Sequence, residues 1–288
     1  MKNLLTPKQV AQAIGVSESS LKRWCDRGLV PSMRTAGGHR RLPIAGVLQF
    51  LRQEQHRLVR PELLGLPRNA GRGSLVTDRA AAGLHDALVA GDEELARQIV
   101  IDLYLARHRT SAIFDRVVSP AFSRIGSQWE CGDVEVYQER RACEIVLRID
   151  HELLGVLPEP GPSAPLAIGG TLEGDFYVLP TAAVELALRE SGWQATSLGS
   201  SLPRATLAAA IDSARPRLVW LSVSHVPERA AFVEDSAALY ESASAVGAAL
   251  VVGGQALSGP LRKQMRYSAH CDNLQQLESF AATLVERV

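Results

Sequence analysis

The chain has 288 residues, 46% of them hydrophobic, with 31 Lys+Arg balanced by 31 Asp+Glu. That length and apolar share suit two or three globular domains, and no apolar run reaches the roughly 20 residues that a membrane-crossing helix needs. Pro7, Lys8 and Gln9 stand where a secretory leader is apolar, which points to the cytoplasm, and Cys25, Cys131, Cys143 and Cys271 lack the CxxC spacing of a disulfide framework or a structural zinc site.

The neutral total hides a division. Residues 1–60 carry 11 Lys+Arg against 3 Asp+Glu, and residues 61–288 carry 20 against 28. A basic head on an acidic body is the electrostatic footprint expected of a DNA-binding domain joined to something else.

In that head, Val10, Ala11 and Ile14 recur at helical spacing after Pro7, so Pro7 to Ile14 is predicted to be a short amphipathic helix closed by Gly15. Ser17 is placed to cap a second helix over 18–27, which Gly28 stops and Pro31 keeps from resuming. Leu21 and Trp24 share one face of it, leaving Ser19, Ser20, Lys22 and Arg23 for a major groove. Gly37-Gly38 then permits a tight hairpin edged by His39, Arg40 and Arg41, in the manner of a phosphate-contacting wing.

TPKQVAQAIGVSESSLKRWCDRGLVP followed by MRTAGGHRRL resembles the MerR family of bacterial transcription regulators, in particular members with a GGHRR wing and no long dimerising coiled coil. The resemblance covers about the first fifth of the chain. It implies a winged helix-turn-helix in which Lys22 and Arg23 reach the major groove, Arg34, His39, Arg40 and Arg41 hold the DNA backbone, and Trp24 and Leu42 serve packing.

From about Glu54 to Leu75, as in PELLGLPRNAGRGS, the periodicity dissolves into Arg, Gly and Pro, suiting a connector of limited order. A nearly unbroken helical region runs from Thr77 to Leu157. Thr77 and Thr110 read as caps, Gly91-Asp92 and Gly132-Asp133 as breaks, and Leu84, Leu88, Ile99, Leu103, Ile113, Val117, Phe122 and Ile125 as buried stripes of a four-helix bundle. His85, His108 and His151 lie on these helices without a partner pattern and read as surface or bundle-edge residues.

Beyond the Pro-rich PEPGPSAP, short apolar runs alternate with amphipathic helices. Strands are predicted at 166–169, 195–198, 218–223 and 249–252, with a weak fifth near Ser268, and helices at about 181–191, 204–214, 230–246 and 274–287. The expected fold is therefore multidomain. Residues 1–60 form the winged helix-turn-helix, 61–75 a linker, 76–157 the bundle, 158–164 a second linker, and 165–288 a flavodoxin-like parallel α/β domain with ligand space at the strands' carboxyl ends.

The strand-end loops resemble cobalamin-binding domains, which place Asp-x-His-x-x-Gly after the first strand, a Ser after the third and a Gly-Gly after the fourth. Here Asp175 to Pro180 holds the first position, 41 residues separate Pro180 from Ser222, and Gly253-Gly254 follows the next apolar run. The spacing agrees while the chemistry departs. Tyr177 stands where the family has its lower cobalt-ligand histidine, and a phenol keeps its proton to about pH 10. Pro180 replaces the final Gly.

The order of headpiece, bundle and sheet resembles the CarH-like repressors, light-responsive users of adenosylcobalamin that carry a Trp followed after nine residues by Glu-His above the corrin. Trp129 is here followed after nine residues by Glu139 and then Arg140, so the upper histidine is replaced as well. The resemblance implies Trp129, Glu139, Arg140, Asp175, Tyr177, Ser222, Gly253 and Gly254 as the cofactor-facing set.

Blander roles stand beside these. Trp129 suits a bundle core, Gly253-Gly254 a close-packed turn, Ser222 a neighbouring backbone group, and Asp175 a loop cap. His225, just after the third strand, suits a structural role more readily than an axial haem ligand. The chain contains no nucleophile elbow, phosphate loop or HExxH, and a methyl carrier has no use for a basic winged helix, so an enzyme is not expected.

These features predict a DNA-binding transcription regulator, a repressor, with operator DNA as its partner. One headpiece covers one half-site, so a homo-oligomer, dimer or tetramer, is expected. Its cobalamin-type domain, without the histidine, would act through oligomerisation or a regulator protein. The alternative is a light or redox sensor that holds cobalamin or haem.

Overall fold

The computed structural model describes residues 4–54, 56–68, 70 and 77–285. It divides into two compact units, one of residues 1–109 with 116–158 and the other of residues 110–115 with 159–288. Among the described residues no helix is long and apolar enough to cross a membrane.

The first unit begins with β1 (Leu4–Leu5), α1 (Pro7–Ile14) and α2 (Glu18–Asp26). Thr6 starts α1 with a reciprocal capping box to Gln9, a device the sequence reading passed over, and Gly15 ends it in the left-handed region at φ 72°. Ser17 caps α2 by accepting from the Ser20 amide, as its position predicts. β2 (Met33–Arg34) and β3 (Arg40–Pro43) form the hairpin, with Arg34 opposite Arg40 and Met33 opposite Arg41. β1 pairs with the other edge of β3. Gly38, at φ 76°, makes the turn, which the Thr35 hydroxyl tightens by accepting from the His39 amide.

α3 (Ile44–Glu54) completes the headpiece core, in which Leu21, Leu42 and its own Leu48 are at or near zero exposure. Trp24 packs as expected, its ring 5.2 Å from Phe50 and 4.9 Å from His56. The segment read as a loose connector is more structured than its composition suggests. Leu58, Leu64, Leu66 and Ala70 are buried, a 3-10 turn spans Pro61–Leu64, and the amides of Val59 and Arg60 donate to the Ala13 carbonyl at the end of α1. Its few apolar side chains have a partner surface, which outweighs the local Gly and Pro content. The remainder of that predicted linker, residues 69 and 71–75, lies outside the described residues.

Four longer helices follow in this unit: α4 (Thr77–Ala90), α5 (Glu93–Leu105), α7 (Ser119–Cys131) and α8 (Val136–Leu154). The Gly91-Asp92 break is as read, with Asp92 capping α5. The bundle is also pinned by polar pairs between helices, Arg97 to Glu152 and Arg148 to Glu93, each through a forked guanidinium. His85 corrects its surface assignment: it is 4% exposed, and its ring nitrogens meet Asp86 at 2.8 Å and, across the bundle, Gln128 at 2.6 Å. At the end of α5 the bundle and headpiece exchange arginines. Arg107 donates to the carbonyls of Arg52 and Gln53, while Arg52 donates to the His108 carbonyl and lies 4.0 Å above the Tyr104 ring.

Between α5 and α7 the short helix α6 (Thr110–Ile113) belongs to the second unit, and a π-helical turn over Phe114–Val118 leads into α7. Thr110 therefore departs from its predicted cap role, because its amide and hydroxyl both donate to the Glu190 carboxylate. Ile113 likewise is buried with the second unit rather than along a bundle stripe.

The rest of the second unit alternates strand and helix: β4 (Leu166–Gly170), α9 (Val178–Glu190), β5 (Gln194–Ser197), α10 (Arg204–Ala214), β6 (Leu218–Ser222), α11 (Arg229–Ala245), β7 (Ala249–Gly253), α12 (Gly259–Arg262), β8 (Ala269–His270) and α13 (Leu274–Val285). The predicted end of α13, at 286–287, falls outside the described residues. All five strands are parallel in the order β5-β4-β6-β7-β8. This is a doubly wound, flavodoxin-like sheet. Ile168, Val219, Leu221 and Leu250 pack against Leu207, Ile211, Phe232 and Leu239 on one face, and Ala167, Leu218, Trp220 and Val251 against Val184, Leu188 and Leu277 on the other. Burial on both faces explains why its strands read as continuous apolar runs.

Candidate functional site

The predicted site residues fall in the headpiece, on the bundle and in the α/β unit. In the headpiece, α2 presents Ser19, Lys22 and Arg23 to solvent on the side away from Leu21. Lys22 holds Glu18 one turn back at 2.9 Å, with its own side chain 53% exposed, a loose pairing that leaves the ammonium accessible. Arg34 and His39 are exposed on the hairpin.

The two arginines of the GGHRR wing differ from these. Arg40 donates from Nη2 to Asp26 Oδ1 at 2.6 Å and from Nη1 to the Lys22 carbonyl at 3.0 Å, and only 18% of its side chain is exposed. The hydrogen bond to Asp26 raises its pKa above the usual arginine value. Arg41 is half-buried and turns its Nη1 back toward the Arg40 carbonyl at 3.3 Å. Asp26 was absent from the predicted set. Its signal was available, since an acid is scarce in so basic a headpiece and this one ends the recognition helix.

On the bundle, Trp129 is 51% exposed in the last turn of α7, which sets aside the reading of it as core. Val136 and Tyr137, at the start of α8, are 50% and 64% exposed. Glu139 is half-buried and accepts from the Cys143 thiol at 3.8 Å, while Arg140 is exposed. Burial first, then the Glu139 charge, pushes Cys143 up to about 12.

In the α/β unit the strand order reverses between β4 and β6, so the crevice of such a sheet opens between the loops that follow these strands. Asp175 lies there, 2% exposed. Its Oδ2 accepts from the amides of Ser224 at 2.7 Å and His225 at 3.1 Å, and its Oδ1 from the amide of Tyr177 at 3.1 Å. Its main-chain carbonyl accepts from the Thr171 hydroxyl and the Ser201 amide. The loop-cap role considered for Asp175 is thus extended: one carboxylate ties two strand-end loops together.

Ser222 is buried at the end of β6. Gly254, at φ 128°, is pressed onto the Val223 backbone, where an added Cβ would lie 2.2 Å from the carbonyl oxygen, and Gly253 meets the Cys271 carbonyl in the same way at 2.8 Å. The glycine pair therefore serves close packing. Phe176 and Tyr177 project outward, 69% and 44% exposed, and His225 is exposed. Among the described residues no cluster of three His, Cys, Asp or Glu side chains is placed to hold a metal ion.

Two family models match the chain. One, described as a helix-turn-helix domain, covers residues 4–55; the other, described as a B12 binding domain, covers residues 80–149, from α4 into α8. The two matches, in this order along the chain, fit a CarH-like helix-turn-helix plus B12-binding architecture. The monomethylamine corrinoid protein of Methanosarcina barkeri aligns over 73% of this chain and 100% of its own at 16% identity, with a TM-score of 0.61, and so shares the fold. A cobalamin-binding protein from Desulfitobacterium hafniense (16% identity, 71% of this chain and 98% of that one, TM-score 0.38) and the methanol:cobalamin methyltransferase complex of M. barkeri (15%, 77% and 86%, 0.39) also match. No curated protein matches the chain in sequence.

The match to a B12 binding domain implies a corrinoid, and the residues at the sheet end do not fit cobalt ligation by this loop. Position 177 offers a phenol in place of imidazole, and the carboxylate two residues before it is committed to three backbone amides. The glycine pair faces backbone.

Proposed function

We propose that this chain is a DNA-binding transcription regulator, a repressor of the MerR type, whose CarH-like body works without cobalt ligation through assembly into a dimer or tetramer or through a regulator protein. The observation that carries this is the exposure of Lys22 and Arg23 on α2 beside Arg34 and His39 on the hairpin, within a headpiece of 11 Lys+Arg and 3 Asp+Glu. A phosphate-rich partner explains such a surface, since clustered cations otherwise only repel one another. Operator DNA in the cytoplasm is that partner, and no catalytic role is assigned.

The test is binding of the full-length protein to a duplex enriched by in vitro selection and to a random duplex, each across a salt series. The proposal expects a preference of at least about a thousandfold for the selected duplex, with affinity falling steeply as salt rises. Equal, salt-insensitive binding would refute it.

A second reading keeps a tetrapyrrole, cobalamin or haem, as the signal. Exposed aromatics on the bundle favour it: Trp129 and Tyr137 are side chains that gain by being covered. Incubation with adenosylcobalamin in the dark, and separately with haem, followed by gel filtration decides between them. A colourless protein whose size is unchanged by light supports the first reading, and a co-eluting chromophore band supports the second.

A further inference from the structure

Of the two arginines that end the GGHRR wing, Arg40 is bound to the recognition helix by two different acceptors. Asp26 is the last residue of α2, and Lys22 lies one turn earlier, so the guanidinium lies along the final turn of that helix. A planar fork holding a carboxylate with one nitrogen and a main-chain carbonyl with the other has its direction fixed, which a lysine could not reproduce. The helix end supplies partial negative charge at the same place. Arg40 comes from β3, where it faces Arg34 of β2. Residue 34 is exposed, while the side chain of residue 40 is 18% exposed against 61% for Asp26. The two cations of one hairpin rung therefore differ in situation: Arg34 is exposed, and Arg40 is engaged by the helix.

We propose that Arg40 is a positioning residue that locks the hairpin to the recognition helix, its charge neutralised by Asp26, so that Arg34 and His39 hold phosphates at a fixed distance from the groups that α2 offers to the bases. This rests on the proposed DNA binding and corrects the sequence-based assignment of Arg40 as a phosphate contact. The pair adds no net charge to the interface; it sets the spacing between two contact surfaces.

The experiment compares full-length wild type, Asp26→Asn/Arg40→Gln, Asp26→Asn and Arg34→Gln on a duplex selected with the wild type and on a random duplex, with salt slopes and thermal unfolding measured for each. The double variant carries the same net charge as the wild type. Its binding to the selected duplex is expected to fall by on the order of the tenfold that one misread base pair costs, with random-duplex binding and salt slope unchanged and only a small fall in unfolding temperature. Arg34→Gln is expected to weaken binding to both duplexes and reduce the slope by about 0.9, the share of one phosphate contact. Asp26→Asn, which releases Arg40, is expected to steepen the slope and narrow the preference for the selected duplex. If the double variant loses the same 0.9 in slope as Arg34→Gln, Arg40 is itself a phosphate ligand and the proposal fails. It fails also if the double variant keeps its full preference. Wild type that binds neither duplex would overturn the DNA-binding reading, and this inference with it, a result distinct from both.

Discussion

The headpiece and the α/β unit both carry a recognisable motif of polar residues, and the two motifs are used in opposite directions. Ser19, Lys22, Arg23, Arg34 and His39 face solvent and bear on little else in the fold. Asp175 and the Gly253-Gly254 pair are turned onto amides and neighbouring backbone, and Ser222 is buried. A motif therefore fixes where polar groups lie along the chain, while packing decides whether they remain available to a partner. In the first region substitutions should alter binding and spare stability; in the second they should do the reverse.

The largest expected effect is that of Asp175→Ala, which strips three backbone amides of their acceptor. At about 1–3 kcal/mol for each unmade bond, partly offset by water, the α/β unit should lose roughly 4 kcal/mol. A urea midpoint equal to wild type would show that the two loops need no tie. Gly169→Ala should cost about 3 kcal/mol, because its Cβ would sit 2.3 Å from both the Trp220 ring and the Trp220 carbonyl oxygen. Calorimetry should register this as a lower unfolding temperature, with DNA binding by the folded fraction unaltered.

Arg23→Ala sharpens the other side. It should leave the unfolding midpoint within about 0.5 kcal/mol of wild type and weaken binding to the selected duplex by about 1–3 kcal/mol. Equal losses in stability and binding would erase the contrast between the regions.

The smallest effect is read by the cysteines, because each part of the chain carries its own thiol reporter. Cys131 is exposed, Cys25 is buried in the headpiece, and Cys143 and Cys271 are pushed by burial up to about 12 and about 11. The thiolate is the reactive form, so at pH 8 the last two stay protonated and slow. One thiol should be alkylated rapidly in the wild type. Asp175→Ala should add Cys271 to the fast class and leave Cys143 slow; simultaneous exposure of both would mean that the chain unfolds as a whole.

Much of this organisation was legible in the residues. The five strands and their order of helices followed from short apolar runs, because a parallel sheet buries both faces and leaves that pattern. Ser17, Gly15 and Gly28 punctuated the headpiece through local backbone chemistry, which depends on near neighbours alone. What stayed hidden was long-range. Thr110 had the residue type of a cap, and only the fold brings Glu190 to it. His85 had no partner at helical spacing because its partner, Gln128, lies on another helix. At the site, Arg40 and Arg41 were indistinguishable from Arg34 by charge, and although Asp26 stood out as a scarce acid, its partner is supplied only by a hairpin 14 residues later that folds back onto α2.

The exchange of arginines between α3 and the end of α5 has a consequence for how the molecule opens. The last carbonyls of a helix ordinarily face water and fray first, but those of Arg52 and Gln53 are held by Arg107, while Arg52 is held in return by His108 and Tyr104. Neither terminus can loosen without the other, so the two helix ends belong to a single cooperative unit of local unfolding. Amide hydrogens in the final turn of α3 should therefore exchange at the rate set by the bundle, and the DNA-binding headpiece inherits at this point the slow clock of the body that carries it.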